Sequence, residues 1–129
     1  MHRSISSGHR SNISLFVAPQ GLFERYDYIV SPTLTRTAIA ADFNSAGDIM
    51  EIDGEKVGRL QPHWTGYMYP FNITGHPALT VPSGWGVDGL PTGVQIVGPR
   101  HSDANVLRLG AILEQARPWA DRKPAIAIS

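Results

Sequence analysis

One long amphipathic helix and a few short strand patterns limit what this chain can fold into. Ser102-Asp103 is typical of a helix start, with a capping side chain and a carboxylate in the first turn. The pattern ends at Arg117-Pro118. The positions that recur at spacings of three and four residues are Val106, Leu109, Gly110, Leu113 and Ala116. At 1.5 Å per residue this helix is about 21 Å long, enough to cover one face of a sheet. Few other helices are available for a second face, which a parallel or mixed sheet also needs covered.

Three short segments have the composition of β-strands. Residues 28–30 form an apolar run that stops at Ser31-Pro32, and residues 78–81 alternate up to Pro82. Residues 92–98 give the clearest strand pattern in the chain. Asp88-Gly89 lies between the last two segments, so we expect a β-hairpin or a closely related pairing, with Gly89 at positive φ. Together with the helix, these strands predict an α/β or α+β arrangement.

The stretch between the strand patterns is less regular. Residues 33–48 are small and polar without a clear period and are predicted to be a long connection. Asp53-Gly54 predicts a tight surface turn. Pro62 is predicted to open a helix at its first position. Three apolar residues would then share one face of that helix: Trp64, Tyr67 and Met68.

Composition excludes several classes of function. The chain of 129 residues has 11 basic and 11 acidic residues, so it shows no basic footprint for nucleic acid. It has no cysteine, which excludes disulfides, cysteine-based zinc sites and thiol catalysis. Its five histidines lack metal-site spacing, and we expect neither a metal nor a cofactor. No apolar run approaches the roughly 18 residues of a membrane span, and no signal peptide is recognisable, so the expected location is the cytoplasm.

Two local patterns have both a chemical and a structural interpretation. Residues 84–89 match G-x-G-x-x-G, but a strand rather than a helix follows, which favours a turn over a nucleotide site. Ser83, His76 and Asp88 include the residue types of a triad, but no G-x-S-x-G elbow is present. His76 precedes Pro77 and is expected to hydrogen-bond within a tight connection. Asn72 is expected to fix the turn around it. Residue types alone therefore predict an α/β domain without a visible active site.

Residues 70–84 resemble the C-terminal region of the amidase signature family. The string is Pro-Phe-Asn-Ile-Thr-Gly-His-Pro-Ala-Leu-Thr-Val-Pro-Ser-Gly. Residues 88–98 and the upstream residues 23–33 are similar to further family motifs in the same order. The resemblance runs from about residue 21 to residue 119. It implies a partial amidase-like domain over 21–119, preceded by a loose arm (1–20) and followed by a tail (120–129).

The resemblance implies the C-terminal portion of an α/β/α sandwich with a mixed sheet, incomplete on its own. Family members hydrolyse or transfer amide C–N bonds with a Ser, cis-Ser and Lys triad beside a Gly/Ser-rich loop. This sequence has no Gly-Gly-Ser-Ser-Gly-type stretch, and its lysines, Lys56 and Lys123, lie in other contexts. No catalytic residue is therefore carried over. The expected contribution to the substrate pocket is aromatic: Trp64, Tyr67, Tyr69 and Phe71.

Two functional hypotheses follow from the resemblance. In the first, the chain is the C-terminal segment of an amidase, inactive alone, which contributes strands and pocket residues to a complete enzyme. In the second, it is a non-catalytic binding or scaffold module derived from the amidase fold. Thr65 stands at about the position where related amidotransferase A subunits carry an acidic residue, which speaks against a glutamine substrate. The expected partners are a small amide in the complete enzyme and either a complementary N-terminal segment or a second copy, with no nucleic acid and no membrane.

Overall fold

The computed structural model describes Pro19 and residues 21–123, except for the side chains of Gln61 and Pro62. Most of the predicted arm and the end of the predicted tail lie outside these residues. The strands are β1 (Ile29–Pro32), β2 (Met50–Ile52), β3 (Glu55–Gly58), β4 (Ala78–Trp85) and β5 (Pro91–Val97). The helices that lie wholly within these residues are α1 (Leu60–His63), α2 (Tyr69–Thr74) and α3 (Asp103–Ala116). Within the described ranges, no helix is long and apolar enough to cross a bilayer.

β5 is the central strand of a three-stranded antiparallel sheet with the order β1-β5-β4. Val94 pairs with Val81 on one side and with Pro32 on the other. The predicted hairpin is confirmed, and Gly89 adopts φ 76° in its turn. β4 extends beyond its predicted end at Pro82, because a register shift between Pro82 and Gly84 accommodates a residue that cannot donate a ladder hydrogen bond.

β2 and β3 form a separate antiparallel hairpin around the predicted tight turn. Asp53 and Gly54 have φ values of 52° and 82°. Two successive positive φ values are characteristic of the type I′ turn, whose twist matches that of the flanking strands. The Asp-Gly pair therefore determines the position of this hairpin.

α3 covers one face of the three-stranded sheet and makes the core. Val81, Ile96 and Val106 form its buried centre. The partly buried residues packed around them are Tyr28, Leu79, Val94, Leu109, Leu113 and Trp119. Gly110 is buried where the helix meets the sheet, and a Cβ there would collide with the Leu79 side chain. A residue without a side chain therefore allows the close approach of helix and sheet.

The predicted helix from Pro62 through Met68 is wrong. α1 ends at His63, turns follow, and α2 begins only at Tyr69. Trp64, Tyr67 and Met68 therefore do not share one helix face. Pro70 lies in the first turn of α2, where its missing N–H costs no hydrogen bond, so it favours a new helix start over a continuation.

The start of α3 is confirmed at Ser102-Asp103, although its capping differs from the expectation. Ser102 occupies the N-cap position, and Asp103 places a carboxylate in the first turn. The Ser102 hydroxyl makes no capping bond; it donates to the carbonyl of Pro99 at 2.6 Å. The hydroxyl thus closes the loop that leads into the helix.

Candidate functional site

The sheet face opposite α3 carries polar side chains that contact the turn following α1. Val94 and Ile96 pack toward α3, so Gln95 between them points to the other face. Gln95 is 3% exposed, and its Nε2 donates to the carbonyl of Tyr67 at 2.9 Å and to Ser31 Oγ at 3.3 Å. The buried amide therefore joins the central strand to both β1 and the turn.

The connection after β1 supplies a second attachment for the same turn. Thr35 Oγ1 donates to the carbonyl of His63 at 2.8 Å, and the Thr35 N–H donates to the carbonyl of Trp64 at 3.3 Å. Thr33 Oγ1 donates to Thr80 Oγ1 at 3.3 Å and so links this connection to β4. The segment of residues 64–71 is thus fixed over the polar face from two directions.

The four aromatic residues predicted to line a pocket all lie on this segment. Trp64 is half-buried, and its indole N–H has no acceptor among the described residues. Tyr67 and Tyr69 are 44% and 54% exposed. Phe71 is half-buried, with its ring edge-on to His76 at a centroid distance of 6.4 Å. The four residues share this short segment, and their contact with a substrate remains a prediction.

An apolar cleft of about 770 Å³ is lined by β1, the connection that follows it, and parts of β4 and β5. Its apolar lining includes Val30, Pro32, Leu34, Pro82 and Val94. None of the four predicted aromatic residues lines it. A third of its lining residues come from the start of the irregular connection, so regular apolar spacing could not predict the cleft. Its only local signal was a run of threonines and apolar residues directly after a strand.

His76 is buried in the loop between α2 and β4. Its Nδ1 lies 2.8 Å from Thr74 Oγ1, and its ring lies 5.2 Å from that of Phe23. Its Nε2 is buried without a hydrogen-bond partner among the described residues. Burial lowers the pKa of His76, and the nearby Arg100 guanidinium lowers it further. Both effects favour the neutral imidazole over the imidazolium form.

Asp88 ties the β4–β5 turn to the connection after β1. The Thr37 hydroxyl and the Leu90 N–H both donate to its carboxylate. The bond from Thr37, followed by that from Leu90, lowers the pKa of the Asp88 carboxyl. Asp88 is therefore a fully ionised structural group at neutral pH.

The structure does not bring Ser83, His76 and Asp88 together as a triad. The Ser83 hydroxyl lies 3.1 Å from Thr92 Oγ1, while the other two side chains have the partners described above. Activation of a serine needs a base within hydrogen-bond reach of its hydroxyl. Within the described part of the chain, no group of three or more His, Asp or Glu side chains is arranged to hold a metal ion.

Comparison with known proteins decides the family. Residues 12–107 match the family model described as Amidase. The chain belongs to the amidase family. The acylamidase of Rhodococcus erythropolis is 41% identical over 101 residues, which are 78% of this chain and 20% of that protein. The 6-aminohexanoate-cyclic-dimer hydrolase of Paenarthrobacter ureafaciens is 33% identical over 108 residues, covering 78% of this chain and 21% of that enzyme. The chain thus spans about a fifth of the length of these curated amidase relatives.

Solved amidase structures confirm the fold. A bacterial aryl acylamidase of the amidase signature enzyme family superposes with a TM-score of 0.72 at 31% identity. The match covers 88% of this chain and 24% of that one. A 6-aminohexanoate cyclic dimer hydrolase gives a TM-score of 0.65 at 32% identity. The predicted fold class, a portion of the amidase-signature α/β fold, is therefore confirmed, and the described strands supply an antiparallel part of it.

Proposed function

We propose that this chain is the C-terminal part of an amidase that hydrolyses the C–N bond of a small carboxylic amide. The observation that carries the proposal is the family match over residues 12–107, in a chain that spans about a fifth of its amidase relatives. In this proposal the chain contributes sheet strands and one wall of the substrate pocket. The nucleophile and its base come from the rest of the enzyme.

The surroundings of Ser83 and Lys56 support the proposal that the catalytic residues come from the rest of the enzyme. Amide hydrolysis needs a nucleophile, a base within reach and donors to the developing oxyanion. Ser83 pairs with a threonine hydroxyl rather than with a base. Lys56 is an exposed residue of the β2–β3 hairpin, which is a separate sheet from that of Ser83. The proposed Ser, cis-Ser and Lys mechanism therefore depends on residues outside this chain.

The segment of residues 64–71 is the proposed pocket wall. A buried indole N–H without an acceptor is costly, and a substrate carbonyl that accepts its hydrogen bond would remove that cost. Among the described residues, the Trp64 N–H has no such acceptor. Tyr67 and Tyr69, on the same segment, expose large aromatic side chains. Small-molecule pockets are lined mainly by apolar and aromatic groups with a few placed polar atoms. The segment is also anchored on two sides, so it offers a preformed surface.

A chimaera tests the proposal. The matched region of the Rhodococcus erythropolis acylamidase is replaced by this chain, and release of para-nitroaniline from para-nitroacetanilide is followed by absorbance. We expect turnover by the chimaera and none by the chain alone. Trp64→Ala, Tyr67→Ala and Tyr69→Ala in the chimaera are expected to raise KM more than they lower kcat. Tyr26→Ala, which removes an exposed ring elsewhere, is the matched control.

Two outcomes would contradict the proposal. Turnover by the chain alone would show that an active site lies within these residues. A folded but inactive chimaera would favour the alternative, a non-catalytic binding or scaffold module. The coding sequence immediately upstream separates the two hypotheses independently, because the proposal requires a segment with the lysine and serine motifs. A cytoplasmic location remains a prediction, which cell fractionation tests.

A further inference from the structure

A second cleft, of about 710 Å³, lies between the β4–β5 hairpin and the segment that follows α3. Among the described residues, two basic side chains line it, Arg117 and Arg122, and no acidic one does. Two tryptophans, Trp85 and Trp119, complete its walls. A chain with no net charge thus concentrates two positive charges and two indoles in one concavity.

Both guanidinium groups are held by contacts with the cleft wall. Arg122 stacks on Trp85, with its guanidinium carbon 4.0 Å from the centre of the ring. Arg117 donates to the carbonyl of Ser83 at 3.4 Å. A guanidinium has five N–H donors, so each group has donors left for a ligand after making these contacts. The arrangement places two guanidinium donors beside an aromatic surface, one of them stacked on it.

We propose that this cleft binds a small aromatic carboxylate. The planar fork of arginine matches a carboxylate and binds it through two parallel hydrogen bonds. Trp85, which is 37% exposed, and Trp119 provide apolar surface for a ring attached to the carboxylate. The proposal rests on the charge and the lining of this cleft and does not depend on amide hydrolysis by the chain.

Indole N–H signals in nitrogen-15 NMR spectra test this on the full 129-residue chain. Titration with benzoate is expected to shift the Trp85 and Trp119 signals saturably and to leave Trp64 unchanged. Benzamide, which has the same ring without the charge, is expected to produce much weaker shifts. Arg117→Gln and Arg122→Gln should each weaken benzoate binding by about tenfold, the loss expected for one charge-assisted hydrogen-bonding partner. Arg108→Gln, on α3 outside the cleft, is the matched control.

Several outcomes would overturn the proposal. If benzoate does not shift the Trp85 and Trp119 signals saturably in the unmutated chain, the proposal is wrong. This result does not require any variant to fold. Equal affinity for benzoate and benzamide would exclude recognition by charge, and equal affinity for inorganic phosphate would exclude a planar carboxylate. Unchanged affinity in both arginine variants, with altered melting only, would show that the two side chains are purely structural. Because no outcome requires turnover, failure here is distinct from failure of the chimaera.

Discussion

His76 shows how one residue couples local geometry to the pH dependence of stability. It is 6% exposed, hydrogen-bonded at Nδ1 by Thr74 and packed beside the ring of Phe23. Arg100, which donates to the carbonyl of Thr74 at 2.7 Å, adds a positive charge nearby. Both burial and this charge disfavour the imidazolium form. The folded chain therefore prefers a neutral histidine, whereas the unfolded chain does not.

The sign of the pH effect follows from this lowered pKa. The stabilising contribution of neutral His76 is complete above its ordinary pKa of 6.5 and is lost as the pH falls below that value. We expect a lower Tm at pH about 5.5 than at pH about 7.5, and His76→Gln should remove most of this difference. Thermal melts followed by circular dichroism measure it. His101→Gln, at an exposed site, should keep the wild-type dependence, and an unchanged slope in His76→Gln would refute the assignment.

For His76, only the contacts with residues close to it in the sequence could be predicted. The pre-proline position predicted a hydrogen bond in a tight connection, and the bond to Thr74 confirms it. Phe23 lies far away in the chain, and its contact with the imidazole arises only once β1 and the loop before β4 are in place. The unpartnered Nε2 could not be predicted for the same reason. Residue type specifies what a side chain can bind, whereas tertiary packing decides what lies beside it.

The β4–β5 hairpin is the element that most directly tests the folding account. Gly89 has φ 76°, which a β-branched residue tolerates poorly. Gly89→Val should therefore destabilise the Val81/Val94 pairing by more than about 1 kcal/mol. Chemical denaturation measures the loss. Gly89→Asn is the matched control, because asparagine enters the left-handed region more readily than valine does. Equal stability of the valine variant and the wild type would contradict the turn geometry.

Elements with a sustained period or a strong turn signal could be predicted, and those dependent on context could not. α3 and the β4–β5 hairpin follow from their apolar spacing and their glycine. Residues 62–68 were predicted to be a helix because their aromatic spacing fits one. Pro70 and the hydrogen bonds from Thr35 instead favour a turn followed by a new helix. The spacing of aromatic residues within a segment does not show that a residue far away in the sequence, here Thr35, will hydrogen-bond to it and favour a turn.

At the scale of the whole molecule, apolar side chains remain exposed on both the three-stranded sheet and α3. Val30 is 60% exposed on β1, at the edge of the sheet. Leu107 and Ile112 are 61% and 53% exposed on α3. Exposed apolar side chains and unpaired strand edges favour association with another chain. The predicted occupant is either a complementary N-terminal amidase segment or a second copy of this chain.

Sedimentation velocity tests this expectation. The chain alone should self-associate in a concentration-dependent manner. An amidase relative that lacks the region matching this chain should compete with that self-association. Val30→Lys, which places a charge on the strand edge, should raise the monomer fraction. Arg108→Lys, which preserves the surface charge, is the control. A compact monomer that melts in one sharp transition and does not bind the complementary segment would contradict the prediction.

The central claim is that the chemistry of amide hydrolysis lies outside these residues, while the chain supplies strands and pocket wall. Labelling with a serine-directed fluorophosphonate, read by intact-mass spectrometry, tests it most directly. Ser83 is hydrogen-bonded to Thr92 and has no activating base among the described residues, so the chain alone should acquire no adduct. The acylamidase chimaera should acquire one on a serine outside this chain. A stoichiometric adduct on any serine of the isolated chain, Ser83 above all, would contradict the account.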